Sequence, residues 1–347
     1  MTLQNKNVLV TGGTGSLGKT VVRRILSGEL GTPNKITVFS RDEAKQHQMR
    51  VDYRNLANAT DEVIYKRGQE MLDFVIGNVR DFDSLVRSVR SADIIVHAAA
   101  LKQVPTCELF PDEAVKTNIE GAQNLVKAVR DHGKNVEQVV GISTDKACKP
   151  INVMGMSKAI MERILVNGNL ECEGTKFNMV RYGNVIASRG SVVPLFLDQI
   201  EHGGPVTITT RDMTRFLLSL DRAVDTVFAA LETARRGETF VPLVESARIM
   251  DLAEVLIDGR DIDMVVTGIR PGEKIHEIMV SEEERYRTVA RGDYYVIQPM
   301  LEQLDPLVID VPLASEYSSE EVTLDHEGIR SLLEPIYGRK AVVRLAA

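Results

Sequence analysis

The stretch Asn7–Leu26 reads NVLVTGGTGSLGKTVVRRIL. A short apolar run at 8–10 is followed by glycines at positions 12, 13, 15 and 18, and then by apolar residues at helical spacing. This order predicts a β-strand, a tight turn and an amphipathic α-helix. Glycines let the backbone approach a pyrophosphate, whose charge the helix N-terminus stabilises. The stretch therefore predicts the first unit of a dinucleotide-binding sheet.

The alternation of strand and helix continues outward from this stretch. Strand patterns recur in KITVFS (35–40), ADIIVHAAAL (92–101) and NVEQVVGIST (135–144), and residues 112–133 have the apolar spacing of one long helix. Such repeats predict an α/β fold, a doubly wound parallel sheet of the Rossmann type, with a smaller discontinuous C-terminal substrate lobe. The predicted boundaries are 1–180, together with 205–240, for the cofactor-binding domain, 181–204 and 241–335 for the substrate-binding lobe, and 336–347 for a tail.

The tip of the second predicted strand bears on the choice of cofactor. NAD-binding enzymes usually carry an acidic residue there, whereas this chain has Ser40 and Arg41, with Lys45 one turn later. A hydroxyl and two cations suit a 2′-phosphate and favour NADP, while Asp42 and Glu43 leave NAD open. Because ligands of such sheets bind beyond the carboxyl ends of the strands, we predict the cofactor contacts there. They are Gly12, Thr14, Gly15, Ser16, Leu17, Gly18, Ser40, Arg41, Lys45, Asn78, Val79, Ala98, Ala99, Ala100, Asn118, Ser143 and Lys158.

Composition excludes several classes of function. A net charge of −7 argues against binding to nucleic acids or to anionic membranes. The N-terminus lacks a signal-peptide core, and no apolar run approaches the ~18–20 residues of a membrane helix, so we expect a cytoplasmic protein. The three cysteines are expected to be reduced thiols. The six histidines are scattered, so we predict no catalytic metal, and we expect His97 to pack or bond locally.

The stretch STDKACKPINVMGMSK, residues 143–158, contains the candidate chemistry. Asp145 and Lys146 follow a predicted strand, and a carboxyl beside an amine can serve as acid and base. Lysine must lose its proton to act as a base and aspartate must hold one to act as an acid. An ion pair between them would oppose both, so we expect them to point to different substrate atoms. Met154 lies one helical turn before Lys158 and has no titratable proton.

Eight segments together resemble the soluble UDP-N-acetylglucosamine 4,6-dehydratases of the extended short-chain dehydrogenase/reductase superfamily. They are TGGTGSLG, FSRDEAKQ, HAAALKQVP, EAVKTNIEGAQNL, STDKACKPINVMGMSKA, RYGNVIASRGSVVPLF, MTRFLLSL and GIRPGEKIHEIMV, in this order. Many dehydrogenases of the superfamily place a catalytic tyrosine at the position of Met154. The resembled family has members with tyrosine and members with methionine there, so the resemblance implies a working enzyme.

The resemblance implies an internal redox reaction with a tightly bound, recycled NADP. Hydride leaves sugar C4, Lys146 removes the C5 proton, Asp145 protonates the departing C6 hydroxyl, and hydride returns to C6. C5 is then reprotonated from the opposite face, which inverts it. The implied catalytic residues are Thr144, Asp145, Lys146, Met154 and Lys158. The C4 hydroxyl proton would leave to Lys158, to Lys146, or to a water held near Ser143 or Thr144, and a lysine-coupled water is our hypothesis.

The second half of the chain is expected to bind a UDP-sugar. The implied substrate contacts are Lys102, Asn184, Val185, Arg189, Pro194, Arg215, Arg270 and Glu273. The three arginines among them are candidates for bidentate phosphate contacts, and Glu273 for the uridine ribose hydroxyls. Arg181 is expected to make structural bonds, and the resemblance implies a homo-oligomer. Two alternatives remain open: a UDP-sugar 4-epimerase, and a non-catalytic NADP-binding regulator, which only Met154 supports.

Overall fold

Apolar runs and their turns fold as the pattern predicts. A computed structural model describes residues 2–55, 71–186, 191–304, 312–321 and 323–337. Its strands are β1 (Asn7–Thr11), β2 (Lys35–Ser40), β3 (Leu72–Ile76), β4 (Ile94–His97), β5 (Gln138–Thr144), β6 (Lys176–Tyr182), β7 (Asn184–Val185), β8 (Val206–Ile208), β9 (Thr214–Leu218), β10 (Thr239–Pro242), β11 (Ser246–Arg248), β12 (Met264–Val266), β13 (Ile278–Val280), β14 (Thr288–Arg291), β15 (Tyr294–Ile297) and β16 (Tyr317–Ser318). Its α-helices are α1 (Ser16–Ser27), α2 (Glu43–Asn55), α3 (Phe82–Val89), α4 (Val104–Leu109), α5 (Pro111–Ala114), α6 (Gly121–His132), α7 (Val153–Glu171), α8 (Val192–Glu201), α9 (Leu220–Thr233), α10 (Ile249–Ile257), α11 (Glu282–Arg285) and α12 (His326–Tyr337).

A nine-stranded sheet of the described residues organises the molecule, in the order β14-β15-β10-β6-β5-β4-β1-β2-β3. The strands from β10 to β3 are parallel, whereas β15 is antiparallel to β10 and β14 to β15. The strand order reverses between β1 and β4, where ligands of open α/β sheets bind. The predicted doubly wound sheet is confirmed.

Helices cover both faces of this sheet. On one face α1 and α9 pack against the sheet through residues such as Val21, Ile25 and Val227, all fully buried. On the other face α3, α6 and α7 bury residues such as Leu85 and Leu125. The segment after β9 therefore returns to the first lobe, as its strand-then-helix pattern indicated.

The smaller lobe is built from the short strands β7–β9–β11, β8–β12 and β13–β16, and from a separate apolar cluster under α8, α10 and α12. The sequence analysis placed all of 241–335 in this lobe. β14 and β15 instead extend the central sheet, because β15 pairs along its length with β10, from Thr239↔Ile297 to Pro242↔Tyr294. β8 and β9 lie in the smaller lobe, although 205–240 was predicted to belong to the cofactor-binding domain, because β8 pairs with β12 and β9 with β7 and β11. The other domain boundaries stay a prediction. α12 extends into the predicted tail as far as Tyr337, and residues 338–347 lie outside the described residues.

One predicted helix differs in its local geometry. Residues 112–133 were expected to form a single α-helix, but a π-helical turn, Val115–Glu120, separates α5 from α6. Such turns accommodate an extra residue and often occur at functional sites. Within the described parts of the chain, no helix combines the length and apolarity needed to cross a membrane.

Candidate active site

The glycine-rich turn forms a cradle between β1 and α1. Gly12 has a φ of +68°, and a Cβ there would lie 2.8 Å from the carbonyl oxygen of Ala98 and 2.7 Å from the nitrogen of Ala99. A Cβ on Gly18 would lie 2.6 Å from the oxygen of Gly12. Gly15 caps α1 without a side-chain hydrogen bond, so the first N–H groups of the helix are left for a ligand. This shape and polarity fit the pyrophosphate of a dinucleotide.

The remaining predicted contacts of this turn fall at the same edge. The hydroxyls of Thr14 and Ser40, both buried, lie 2.8 Å apart and join the turn to the end of β2. Ser16 begins α1, and Leu17 packs against the core, so Leu17 contributes its backbone rather than its side chain to this edge.

The two cations predicted at the tip of β2 differ in their surroundings. Arg41 is exposed. The amino group of Lys45 donates to the carboxylate of Asp42, one of the two acidic residues that left NAD open. Of the pair, Arg41 is therefore the better placed to meet a 2′-phosphate.

The loops after β3 and β4 carry five of the predicted cofactor contacts. Asn78 is half-buried, and its Oδ1 accepts from the nitrogen of Arg80 at 3.2 Å. The side chain of Val79 faces the core, where a Cβ on Gly121 would meet its Cγ2 at 2.8 Å. Only the backbone of Val79 is therefore available to a cofactor. Ala98, Ala99 and Ala100 are half-buried beside the cradle.

Asn118 was predicted to touch the cofactor, but its amide is fully engaged within the protein. It lies in the π-helical turn and is completely buried. Its Oδ1 accepts from the nitrogen of Leu101 at 2.8 Å, and its Nδ2 donates to the oxygen of Leu101 at 3.0 Å and to Oγ of Ser157 at 2.9 Å. Asn118 thus holds the loop after β4 against α7.

Lys158 lies under the end of β5. Its Nζ donates to the carbonyl of Ile142 at 2.5 Å and contacts Sδ of Met161 at 3.1 Å. Burial lowers the pKa of Lys158 to about 8, although the Glu162 carboxylate opposes the shift. An amine with this pKa exchanges its proton readily near neutral pH, which suits the predicted contact with the cofactor.

Met154 and His97 are both buried. Met154 packs into an apolar cluster with Cys107 and Ala114. Nδ1 of His97 lies 2.9 Å from the hydroxyl of Thr11, so the expectation of local bonding is confirmed. Burial, followed by the charge of Lys158, lowers the pKa of His97 to about 3, so the ring is neutral.

The acid–base pair stands at the carboxyl end of β5. Asp145 is fully buried, and its Oδ1 accepts from Oγ1 of Thr144 at 2.8 Å and from Nζ of Lys146 at 3.0 Å. Asp145 and Lys146 are therefore ion-paired with each other, which is the arrangement that opposes both proton shifts. A buried carboxylate needs donors, and Thr144 and Lys146 are its nearest.

A second carboxylate, Glu277, completes the arrangement around Lys146. Its Oε1 lies 3.1 Å from Nζ of Lys146, and Glu277 is 2% exposed. Burial favours loss of the Lys146 proton, but the charges of Asp145 and Glu277 outweigh burial and raise the pKa of Lys146 above its ordinary value. Lys146 is thus an ammonium at neutral pH. Oδ2 of Asp145, Oε2 of Glu277 and the hydroxyl of Ser143 are buried atoms without a hydrogen-bond partner among the described residues.

The sequence did not indicate that Glu277 is a site residue, although Glu277 lies in the segment GIRPGEKIHEIMV. It lies 132 positions after Asp145 in the chain, and β13 brings it to the site. A local signal exists, because a charged residue directly precedes the buried strand IMV. That signal alone does not distinguish an active-site residue from a solvated strand end.

The predicted substrate residues differ in where they lie. Oδ1 of Asn184 lies 3.4 Å from Nζ of Lys146, so Asn184 is part of the site. Val185 follows on β7 and is half-buried, as is Pro194 in the first turn of α8. Lys102 is exposed as a whole, and partial burial of its amino group lowers its pKa. Arg189 lies outside the described residues.

Two of the predicted phosphate-binding arginines, Arg215 and Arg270, have different surroundings. Arg215 is buried and donates to the carbonyls of Thr214, Ile275 and Lys274 at 2.7–2.9 Å. It therefore holds the segment before β13, whose carbonyls need donors, rather than reaching out to a phosphate. Arg270 is exposed, and its backbone nitrogen donates to Oε2 of Glu273 at 3.3 Å.

Arg181 makes the structural bonds that were expected. Its guanidinium donates to both carboxylate oxygens of Glu162 and of Glu284 and to the carbonyl of Met279, at 2.7–3.1 Å. Beside it, burial raises the pKa of Cys148 to about 12, although Arg181 opposes the shift. Cys148 is therefore a thiol and not a nucleophile, as predicted.

The chain is similar to several known proteins. Residues 8–299 match the family described as polysaccharide biosynthesis protein. A relative from Campylobacter jejuni named UDP-N-acetylglucosamine 4,6-dehydratase (inverting) is 41% identical over 86% of this chain and 85% of its own. A relative from Rickettsia felis named UDP-glucose 4-epimerase is 43% identical over 84% of this chain and 83% of its own. The X-ray structure of Pen from Bacillus thuringiensis is 32% identical, has a TM-score of 0.85, and is matched over 96% of this chain and 100% of its own.

Proposed function

This chain belongs to the polysaccharide biosynthesis protein family, and we propose that it is a nucleotide-sugar 4,6-dehydratase. The observation that carries the proposal is the Asp145–Lys146 pair, which lies at the same edge of the sheet as the glycine-rich cradle. A 4-epimerase needs the cradle but no acid for a leaving group at C6. The free Oδ2 of Asp145 offers a place for such a group.

We further propose that the cofactor is NADP, that the substrate is UDP-N-acetylglucosamine, and that the product is inverted at C5. The glycine-rich cradle, with Arg41 exposed at the tip of β2, supports the cofactor. When bound, NADP would supply the hydride acceptor for C4 and the donor for C6. The relative from C. jejuni supports the substrate and the stereochemistry.

In the resting pair the proton lies on Lys146, which must act as the base, and not on Asp145, which must act as the acid. Transfer of this one proton corrects the arrangement. Movement of a proton along the 3.0 Å contact from Nζ of Lys146 to Oδ1 of Asp145 gives a neutral amine and a carboxylic acid. The amine then takes the C5 proton, the electron pair of that bond forms the C5–C6 double bond, and the C6 hydroxyl leaves with the proton of Asp145. One water is lost, and the pair ends with the charges with which it started.

The experiment that tests the function is mass spectrometry of UDP-N-acetylglucosamine incubated with the protein in D2O. A dehydratase yields a product lighter by one water and carrying one deuterium, at C5. NMR of that product then gives its configuration at C5. Recovery of unchanged substrate with NADP bound would contradict the proposal for this sugar and favour the non-catalytic regulator.

A 4-epimerase is the second candidate, because relatives at 43% identity carry that name. It would give a product of unchanged mass with a new configuration at C4. The same spectra therefore decide between the two candidates.

The choice of cofactor has its own test. Arg41→Ala is expected to weaken binding of NADP more than binding of NAD, because only NADP has the 2′-phosphate. Lys45→Ala is the matched control and is expected to have the smaller effect, since Lys45 is paired with Asp42. Equal affinities for NADP in Arg41→Ala and the wild type would contradict the assignment.

The predicted homo-oligomer stays a proposal. Met156 and Ile160 support it, because they lie one turn apart on α7 and are exposed large apolar side chains. Sedimentation of the full chain would test it.

A further inference from the structure

Glu277 is a buried carboxylate that packing alone does not explain. It is 2% exposed, at the start of β13, and three cations surround it. Its Oε1 lies 3.1 Å from Nζ of Lys146 and 3.8 Å from Nε of Arg215, and its Oε2 lies 3.9 Å from Nζ of Lys274. Of these contacts, the one to Lys146 is the shortest.

The two oxygens of Glu277 have different environments. Oε1 forms the ion pairs with Lys146 and Arg215, whereas Oε2 is buried and has no hydrogen-bond partner in the described residues. A buried acceptor without a donor is unfavourable, and most buried polar atoms in native structures have a hydrogen-bond partner. Oδ2 of Asp145, on the other side of Lys146, is also buried and has no hydrogen-bond partner among the described residues.

We propose that Glu277 is a positioning residue of the active site, which fixes the amino group of Lys146 between two carboxylates and governs when that group releases its proton. The inference rests on the proposed function, in which Lys146 is the base. It goes further because it assigns to a residue of the second lobe the control of a proton at the end of β5.

The charges around Lys146 support this assignment. Asp145 faces it from the same turn, Glu277 from β13 and Arg215 from β9, while Lys274 reaches Oε2 of Glu277. Burial and Arg215 lower the pKa of Lys146, and Asp145 and Glu277 raise it, with the carboxylates prevailing. Removal of the charge of Glu277 leaves Asp145 to oppose burial and Arg215. The pKa of Lys146 is then expected to fall.

The direct test is competitive labelling of Lys146 in the full-length protein with acetic anhydride, read by mass spectrometry as a function of pH. Only the neutral amine reacts, so the midpoint of labelling reports its proton release. In Glu277→Gln the midpoint is expected to move to lower pH. The matched control is Glu238→Gln. Glu238 directly precedes β10, is also 2% exposed, and is ion-paired with Arg291 instead of Lys146. Its midpoint is expected to stay at the wild-type value.

The pH profile of turnover gives an independent readout. If Lys146 is the base, the pair is active while it holds one proton, so the alkaline limb of the profile reports release of that proton. This limb moves to lower pH in Glu277→Gln, and the maximal rate falls about tenfold or more because the amine is no longer held in place. A purely structural role for Glu277 would lower activity or stability without moving the limb. An unchanged labelling midpoint in Glu277→Gln would overturn the inference.

The failure of this inference and that of the proposed function are distinguishable. Labelling needs no substrate, so an unshifted midpoint counts against Glu277 alone, and a wild type that does not dehydrate the sugar counts against the function alone. If Glu277→Gln does not fold, Glu277→Asp keeps the charge but withdraws it from Lys146, and an intermediate midpoint is expected. A wild-type midpoint in Glu277→Asp would then overturn the inference.

Discussion

Two buried centres of this molecule have the same charges and different chemistry. In each, one cation lies between two carboxylates: Lys146 between Asp145 and Glu277, and Arg181 between Glu162 and Glu284. Around Arg181 all four carboxylate oxygens accept hydrogen bonds from the guanidinium. Around Lys146 each carboxylate keeps one oxygen without a hydrogen-bond partner among the described residues, although Oε2 of Glu277 lies 3.9 Å from Nζ of Lys274.

The difference follows from the shape of the cation. A guanidinium has five N–H donors in a planar fork and satisfies two carboxylates at once, whereas an ammonium is a compact charge with three donors. The centre at Arg181 is therefore closed, and it ties α7, β6 and α11 together. The centre at Lys146 is open, because two of its buried carboxylate oxygens have no hydrogen-bond partner among the described residues and the Lys146 side chain is 20% exposed.

The largest expected effect comes from removing the cation of the open centre. Lys146→Ala should lower the rate of water loss about 10²–10⁴-fold, because the general base is lost. Lys146→Arg is the matched control, since it keeps the charge but cannot deprotonate. It is expected to be as inactive as Lys146→Ala, and near wild-type turnover in Lys146→Arg would show that Lys146 acts only through its charge.

Removing the cation of the closed centre should instead damage the fold. Arg181→Met leaves two carboxylates buried without a counter-ion, and the free energy of unfolding is expected to fall by about 3–5 kcal/mol, measured with urea. Adding Glu162→Gln and Glu284→Gln removes the uncompensated charge and is expected to restore much of the loss. A loss below about 1 kcal/mol in Arg181→Met would mean that the centre is not a structural one.

The closed centre also predicts how stability depends on pH. Burial alone would raise the pKa of Glu284, but Arg181 and the hydrogen bonds outweigh burial and hold it at about 2, below the ordinary 4.5. A lowered pKa stabilises the fold fully above about pH 4.5, and that contribution is lost as the pH falls toward 2. The loss attributable to Glu284 should be about 3 kcal/mol in urea titrations over this range. Glu284→Gln should flatten the dependence there, and an equally steep curve in that variant would assign it to other groups.

The smallest expected effect concerns the missing tyrosine. Met154→Tyr should change the rate of hydride transfer less than about tenfold, because position 154 packs with Cys107 and Ala114 and the larger ring must displace them. The same overpacking should cost about 1–3 kcal/mol of stability. Single-turnover kinetics of cofactor reduction measures the first effect and urea unfolding the second. A large gain in hydride transfer would show that the chain lacks a complete route for the C4 hydroxyl proton.

What could be predicted from the sequence depended on distance along the chain. The cradle, the end of β5 and the structural role of Arg181 follow from local patterns, in which a strand end fixes where a side chain lies. Glu277 reaches Lys146 through the return of β13, which no local pattern contains. Arg215 was predicted to bind a phosphate because of its guanidinium, and Asn118 to contact the cofactor because of its expected place at the carboxyl edge of the sheet. Nearby backbone groups engage both side chains instead.

The π-helical turn Val115–Glu120 lies between α5 and α6 and allows this helical segment to fill two structural roles. α6 must turn its apolar face to the sheet, while Asn118 must meet Leu101 and Ser157 at the loop after β4. Each residue of an α-helix advances the direction of its side chains by about 100°, so the extra residue resets the phase between these roles. Deleting one residue of this turn other than Asn118 would let α5 and α6 join as one regular helix with their faces unchanged, because the turn takes up one residue more than an α-helix needs for the same rotation. Asn118 lies inside the turn, so its side chain would change direction, and the loop would lose its clamp although every contacting side chain is still encoded.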